Sequence, residues 1–164
     1  MSSLKTFGIE EGKHTFHEEA IYSLALIYNI IWDEISSYLE PHALTPGKFN
    51  ILMIIKHQGK AKGIPQVEIS KRLILTPSNM TKLIDKLEKD GLVARFSLVG
   101  DRRVNLMKIT PKGSRVLDHI WEGYSSRLKD LTHDLTKAQQ ENIAKLLKIW
   151  LSNLQDGKLQ GRNT

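Results

Sequence analysis

Two adjacent arginines, Arg102 and Arg103, stand in the stretch S-L-V-G-D-R-R-V-N-L-M-K-I-T at residues 97–110. Short apolar stretches flank them. Gly100 and Asp101 suit the tip of a β-hairpin because both tolerate the positive φ of a tight turn. Such a tip does not require a pair of guanidinium groups. The pair is therefore either ordinary solvated surface or a contact for a partner outside the protein.

Positive charge is concentrated in the segment that contains these arginines. Residues 71–115 carry 11 Lys and Arg against 4 Asp and Glu, a net charge of +7, whereas the whole chain carries +6. A localised basic field attracts a polyanion, of which nucleic acid is the commonest. Charge alone leaves a merely solvated face as the alternative.

The composition excludes several classes of protein. The 164 residues contain no cysteine, which excludes a disulfide framework, a thiolate zinc site and a thiol redox sensor. No secretory signal is evident at the N-terminus, and the most apolar stretch, Ile21 to Trp32, is too short to span a bilayer. We therefore expect a globular, cytoplasmic protein without a membrane partner.

Residues 18–39 follow the i, i+3, i+4, i+7 apolar pattern that predicts a helix. Leu26, Ile27 and Ile30 add a second apolar face, and a helix that is apolar almost all round must be covered on more than one side. In a small domain this favours a partner subunit, with a deep core as the competing explanation.

The dipeptide Thr-Pro occurs three times and predicts three helix starts, because Thr is a good N-cap and Pro is tolerated in the first turn. The first expected helix begins at 45–46 and ends near His57. The second covers Pro77–Asp90, and the third begins at 110–111. A short helix at Pro65–Leu73 and a last helix after a capping box at Thr136-Lys-Ala-Gln139 complete the helical elements. Only residues 92–98 and 104–109 look extended, which predicts a two-stranded hairpin.

Helix, short turn, helix and hairpin are the order of a winged helix-turn-helix. The helix that begins at Pro77 is then the recognition helix, whose N-terminal residues meet base edges in the major groove. Asn can pair with adenine, and Ser and Thr can contact bases or phosphates. The candidates for this groove are Ser78, Asn79, Thr81 and Lys82, whereas the stripe Met80, Leu83, Ile84 and Leu87 is structural.

The hairpin beside such a helix reaches the neighbouring minor groove, whose negative potential attracts arginine. Arg102 and Arg103 are both candidates for this contact, and Asp101 either orients one guanidinium or serves the turn. Further candidates, for phosphate contacts, are Gln66, Arg72 and Arg95.

From Leu44 to about Leu117 the sequence resembles the MarR family of winged-helix transcriptional regulators. The matching residues are Leu44-Thr45 with Phe49 and Leu52, then Ser78-x-Met80-Thr81-x-x-Ile84-x-x-Leu87-Glu88-x-x-Gly91-Leu92-Val93-x-Arg95, Asp101-x-Arg103, and Ile109-Thr110-x-x-Gly113. Ile109 stands where the family motif has Leu.

The resemblance implies a mainly α (α+β) fold in one domain over 1–164. A winged-helix core at about 43–110 would lie between dimerisation helices at about 14–42 and 111–156, with a frayed tail at 157–164. It also implies a homodimer on a pseudo-palindromic operator, usually a repressor. A small, often aromatic or anionic effector, bound in a cleft between the dimerisation and DNA-binding parts, would release it.

Other functions find less support in the sequence. The chain contains no Gly-x-Ser-x-Gly, Gly-x-x-x-x-Gly-Lys or His-Glu-x-x-His motif, so we expect no enzyme. The histidines lack the spacing of a metal site, so neither a metal nor a cofactor is expected. The alternatives that stay open are a winged-helix protein–protein module and a metal- or co-repressor-dependent regulator of the same fold. Aromatic residues are available to line a cleft, but none is assigned to a ligand.

Overall fold

The computed structural model describes residues 15–60, 62–73, 77–98 and 101–160, with the backbone alone at 77–78, 98, 101–104 and 158–160. The α-helices are α1 (Phe16–Leu39), α2 (Pro46–Ile54), α3 (Gln66–Ser70), α4 (Pro77–Lys89), α5 (Pro111–Asp130) and α6 (Lys137–Gln160). A 3₁₀ turn at Glu40–His42 follows α1, and a π-helical turn at Ile55–Gly59 follows α2. The strands are β1 (Ile64–Pro65), β2 (Val93–Leu98) and β3 (Asp101–Ile109).

The helix starts confirm the capping signals of the sequence. The Thr45 hydroxyl accepts a hydrogen bond from the Lys48 N–H at 3.3 Å, and the Thr110 hydroxyl accepts one from the Gly113 N–H at 3.0 Å. At α6 the capping box forms in both directions. The Thr136 N–H donates to Gln139 Oε1 at 2.8 Å, and the Gln139 N–H donates to Thr136 Oγ1 at 3.3 Å. Thr76 lies outside the described residues.

The sheet has one strand more than the sequence predicts. β1 pairs antiparallel with β3, with Ile64 opposite Met107, so the order is β1-β3-β2 rather than a two-stranded wing. A two-residue strand carries no alternating pattern, and its Pro65 fits an edge position that needs no N–H donor. The predicted helix Pro65–Leu73 correspondingly shrinks to α3. β3 also begins at Asp101, three residues before the predicted strand.

The apolar stripe of α4 faces the core, as predicted. Met80, Ile84 and Leu87 are buried and Leu83 is half-buried. They join a core contributed by the end of α1, α2, α3, the sheet and the first turns of α5. The other large side chains with under 2% exposure are Leu39, Phe49, Ile51, Leu52, Ile55, Ile69, Met107, Leu117 and Ile120. α4 is thus fixed by its buried face, which leaves the opposite face to solvent.

Contacts divide the chain into two compact units, Met1–Tyr124 and Ser125–Thr164. The first contains the core just described. In the second, α6 continues through Gly157 to Gln160, although a frayed tail is expected from 157 onward. None of the described helices combines the length and the apolar character needed to cross a membrane.

Most of α1 is not covered by the described chain. Only Ile35 and Leu39 of this helix are buried. The exposed large apolar side chains of α1 are Phe16, Ile21, Tyr22, Leu24, Ile27, Tyr28, Ile30, Ile31 and Trp32. The described residues therefore provide no deep core that accounts for the apolar character of α1. In the second unit α6 likewise exposes Ile143, Leu146, Leu147, Ile149, Leu151 and Leu154.

Candidate nucleic-acid interface

The solvent-facing side of α4 is polar and basic. Asn79, Thr81 and Lys82, expected to meet base edges, are all exposed, and Lys86 and Lys89 follow on the same helix. At 100° per residue Asn79, Lys82 and Lys86 share one face, opposite the buried stripe. The Ser78 side chain lies outside the described part. This face has the shape and charge that a helix needs to enter a groove of DNA.

Gln66 is bound to α4. Its amide nitrogen donates a 2.9 Å hydrogen bond to the Thr81 hydroxyl. Gln66 is the first residue of α3 and is half-buried. The structure therefore brings this expected phosphate contact together with an expected base contact, and links the starts of α3 and α4.

Arg72 is bound to α3. Its Nη1 donates to the Glu68 carbonyl oxygen at 2.6 Å and to the Glu68 carboxylate at 3.0 Å. Lys71 donates to the same carboxylate at 2.6 Å. Hydrogen bonds from Lys71 and Arg72 lower the pKa of Glu68 below its ordinary value. Two cations thus share one carboxylate just before the turn that leads to α4.

Arg95 on β2 reaches back to α4. Its Nη2 donates to Asp85 Oδ1 at 2.5 Å, and its Nε lies 3.5 Å from Glu88 Oε2. The Arg95 side chain is 27% exposed, and its Nε is buried. The third expected phosphate contact therefore faces two carboxylates of the protein itself.

Asp101, Arg102 and Arg103 belong to the backbone of β3, and their side chains lie outside the described part. The ladder is irregular beside them. Ser97 pairs with Asn105, whereas the next residue of β2, Leu98, pairs with Asp101. Both arginines fall between these two partners, at the end of the hairpin formed by β2 and β3. The predicted placement at the wing tip agrees with this backbone.

Sequence reasoning missed Asp85 and Glu88 as partners of Arg95, and Glu68 as the partner of Arg72. The available signal was the negative charge of these residues, because Asp85 and Glu88 are two of the four acidic residues within the basic segment 71–115. An acidic residue beside a polyanion is unfavourable unless a cation compensates it. Their positions on α4 could therefore have indicated internal ion pairs.

A cavity of about 450 Å³ lies in the first unit. Its walls come from α1, α2, α5 and the residues after α3: Tyr28, Ile31, Trp32, Ile35, Pro46, Gly47, Asn50, Arg72, Leu73 and Tyr124. The rings of Tyr28 and Trp32 lie 5.8 Å apart, and burial raises the pKa of Tyr124. An aromatic lining with one guanidinium suits a planar ligand that carries a negative group.

Histidines do not gather into a metal site in the part of the chain that the structure describes. The rings of His42 and His119 meet edge to face at 5.9 Å. No group of three His, Cys, Asp or Glu residues with metal-binding geometry occurs among the described residues.

Comparisons with known proteins agree with this architecture. Residues 44–104 match the model of the MarR family. The transcriptional regulator MhqR of Bacillus subtilis is 28% identical over 125 residues, 76% of this chain and 84% of MhqR. A mutant MarR from Escherichia coli, complexed with operator DNA, matches with a TM-score of 0.74 and 25% identity over 84% of this chain and 99% of its own. Sco3205 of Streptomyces coelicolor, a MarR-family regulator in complex with DNA, matches with a TM-score of 0.78 and 22% identity over 89% and 92%.

Proposed function

The chain belongs to the MarR family of transcriptional regulators, and we propose that it is a homodimeric repressor that binds a pseudo-palindromic operator in double-stranded DNA. The observation that carries the proposal is the exposed polar and basic face of α4 on a helix whose apolar stripe packs into the core, with Met80, Ile84 and Leu87 buried. This combination holds a helix rigidly while it presents hydrogen-bonding and cationic groups to a groove. Because chromosomal DNA is the partner, the protein acts in the cytoplasm, as a binding protein rather than an enzyme.

Residue roles follow from this placement. Ser78, Asn79, Thr81 and Lys82 face the major groove. Arg102 and Arg103 at the wing tip face the minor groove, beside Asp101. Gln66, Arg72 and Arg95 are each engaged with a neighbouring side chain, which supports a role in holding the reading elements in place.

A homodimer explains the uncovered helices. The exposed apolar side chains of α1 make a surface that an isolated chain in water does not favour, and α6 offers a second one in its own unit. A second copy that covers these helices would present two recognition helices to half-sites about 34 Å apart, one turn of DNA. Two-fold symmetry of the protein then matches a palindromic operator.

The 450 Å³ cavity is the proposed effector site. Trp32, Tyr28 and Tyr124 would pack against a planar ligand, and Arg72 would bind its anionic group. A ligand that binds better to a conformation incompatible with DNA shifts the population away from the bound form and releases the operator. Because Arg72 lies within a few residues of Pro77, where α4 begins, this cavity is well placed to act on the recognition helix.

The proposal is tested by measuring the binding of the protein to the DNA upstream of its own gene. Fluorescence anisotropy, titrated against salt and against a random duplex, gives both affinity and preference. We expect a preference for the upstream duplex and a steep fall of affinity with salt. An R102A/R103A variant should lose most of this preference.

Absence of duplex binding at low salt would overturn simple repression by the apo-protein. Binding that appears only after addition of a metal ion or a small molecule would instead establish a co-repressor-dependent regulator. A protein that binds no duplex under any of these conditions would be assigned to the class of winged-helix protein–protein modules.

A further inference from the structure

Three side chains form a stripe on α4 that borders its groove-facing side. Thr81, Asp85 and Glu88 are spaced i, i+4 and i+7, so they share one face of the helix. All three are exposed, and the stripe lies between the buried residues and the face that carries Lys82. Its members bind partners on other elements: Gln66 of α3 holds Thr81, and Arg95 of β2 holds Asp85 and Glu88.

The corner between α4 and β2 depends on a residue with unusual freedom. Gly91 has a φ of +71°, which favours glycine, and β2 begins two residues later at Val93. Two rigid elements joined by so short a connection can change their mutual angle by small rotations at this point. Arg95 reaches across the same corner, because it lies on β2 and its guanidinium ends on the last two turns of α4.

Because Arg95 lies on β2, its contacts can set the direction of the wing, the hairpin of β2 and β3. Strands advance about 3.3 Å per residue, so the end of β2 at Leu98 is about 10 Å beyond Arg95. The two arginines lie on β3 beside that point, between Asp101, which pairs with Leu98, and Asn105, which pairs with Ser97. A small tilt of β2 at Arg95 is therefore magnified at the wing tip.

We propose that Arg95 is a positioning residue that fixes the angle between the recognition helix and the wing. It thereby sets the relative placement of the major-groove and minor-groove contacts. Gln66 performs the equivalent task on the other flank of the stripe, where it fixes the start of α4 against α3. This inference rests on the proposed DNA-binding function and assigns to Arg95 an internal partner instead of a phosphate.

Charge supports the internal role. If Arg95 left for a DNA phosphate, Asp85 and Glu88 would lie uncompensated beside a polyanion. The gain of one phosphate contact would then be offset by repulsion from two carboxylates. The orientation of Arg95 points the same way, since its Nε is buried and lies 3.5 Å from Glu88 Oε2, so this edge of the guanidinium faces the protein.

The two roles predict opposite results when the carboxylates are removed. The variants are R95Q, D85N/E88Q and the combination of all three, measured on the upstream duplex and on a random duplex across a range of salt. For a positioning residue, R95Q and D85N/E88Q should each lower the preference for the upstream duplex, the ratio of upstream to random affinity, by about tenfold, beyond any change that their altered charge causes on both duplexes alike. The triple variant should lose no more of the preference for the upstream duplex than R95Q or D85N/E88Q alone, because all three changes remove the same contact between β2 and α4.

A phosphate contact behaves differently on each point. D85N/E88Q would then raise the affinity for both duplexes by the same factor and leave the preference unchanged, and R95Q would weaken both equally with a salt slope reduced by about one. Either result overturns the proposal, as does an unchanged preference in all variants. R95K separates the roles further: a Lys keeps a phosphate contact but cannot reach two carboxylates with a planar fork, so it should not restore the preference.

K86Q is the matched control, since it removes one exposed charge from the same helix and should weaken both duplexes alike. Amide hydrogen exchange of the free dimer supplies a readout that does not involve DNA. R95Q should accelerate exchange in β2 and the last turns of α4, with the core of α2 unchanged. If the wild-type protein binds no duplex, the proposed function fails, and normal exchange in R95Q would overturn the positioning role separately.

Discussion

The hydroxyl of Tyr38 on α1 donates a 2.8 Å hydrogen bond to the backbone carbonyl of Ile120 on α5. The same hydroxyl occupies the position that a Cβ atom at Gly123 would overlap. A glycine within a helix costs about 1 kcal/mol of stability relative to alanine, so its presence here indicates a steric requirement. α1 and α5 approach as closely as they do in the first unit because residue 123 has no side chain.

Gly123→Ala is accordingly expected to destabilise the protein by about 1–3 kcal/mol, because the overlap outweighs the gain in helix propensity. Thermal or urea unfolding measures the change. The control is the same substitution in a Tyr38→Phe background, where the overlapping oxygen is gone and the cost should shrink. Equal costs in the two backgrounds would mean that Tyr38 does not create the requirement for glycine.

Acid should weaken the contact between the π-helical turn and α5. A hydrogen bond from Lys56 lowers the pKa of the Asp118 carboxyl below its ordinary value of 3.8. The positive charge of Lys56 and a hydrogen bond from Ser114 also lower this pKa. A carboxylate with a lowered folded-state pKa stabilises the protein above its unfolded pKa, and this stabilisation is lost as pH falls through the folded value. Because the group is solvent-exposed, the effect is small.

We therefore expect Asp118→Asn to lower the melting temperature slightly at pH 7, with the difference from wild type shrinking as pH falls below 3.8 and through the lowered folded-state pKa of Asp118. Lys56→Met should reproduce this dependence, and the double variant should add little to either single one. Thermal unfolding at several pH values is the measurement. A difference that persists unchanged in acid would show that Asp118 acts through packing instead.

The sequence signals that worked are local ones. Thr45 and Thr110 cap helices and Thr136 forms its capping box, because each depends only on residues within a few positions. The buried stripe of α4 follows equally from the helical period. Fold class could be predicted because such signals, placed in order, admit few architectures.

Most of the features that sequence reasoning missed join distant residues, whereas the pair of Arg72 and Glu68 is local, four residues apart. β1 exists because Ile64 pairs with Met107, 43 residues away, and two residues show no period. The partners of Arg95, Gln66 and Arg72 depend on which side chains the packed elements bring within about 3 Å of one another. A count of charges finds the basic segment but not which of its cations are already paired within the protein.

The apolar surface of α1 predicts a dimer that a single charge disrupts. Ile30 is 62% exposed in one chain, so burial against a second copy would make Ile30→Lys place a charge in an apolar interface. We expect this variant to be monomeric at micromolar concentration and to bind the upstream duplex at least tenfold more weakly, since two half-sites are no longer engaged together. Light scattering after size-exclusion chromatography measures the mass.

Ser37→Lys is the control for added charge, because residue 37 is an exposed polar position on the same helix. It should leave the mass of the dimer unchanged. A wild-type protein that is monomeric, or an Ile30→Lys variant that stays dimeric, would contradict the assignment of this surface of α1 to a second copy.

Arg72 should distinguish anionic from neutral ligands in the 450 Å³ cavity, because its guanidinium is the cationic group in a largely apolar lining. Benzoate and benzamide have the same shape and differ in charge, so they are suitable probes. We expect benzoate to quench the fluorescence of Trp32 at lower concentration than benzamide, and Arg72→Gln to remove this difference. The Trp32→Phe variant shows which part of the fluorescence change comes from Trp32, since the chain has three tryptophans.

Lys71→Gln is the matched control for this prediction. Lys71 adjoins Arg72 and binds the same Glu68 carboxylate at 2.6 Å, but it is not among the residues that line the cavity. Lys71→Gln should leave the preference for benzoate intact. If the preference depended only on the total positive charge near α3, it would fall equally in Arg72→Gln and Lys71→Gln. Because the measurement uses the protein without DNA, a weaker operator contact in either variant does not affect the result. If both variants keep the preference, the anionic group of the effector is recognised elsewhere than at Arg72.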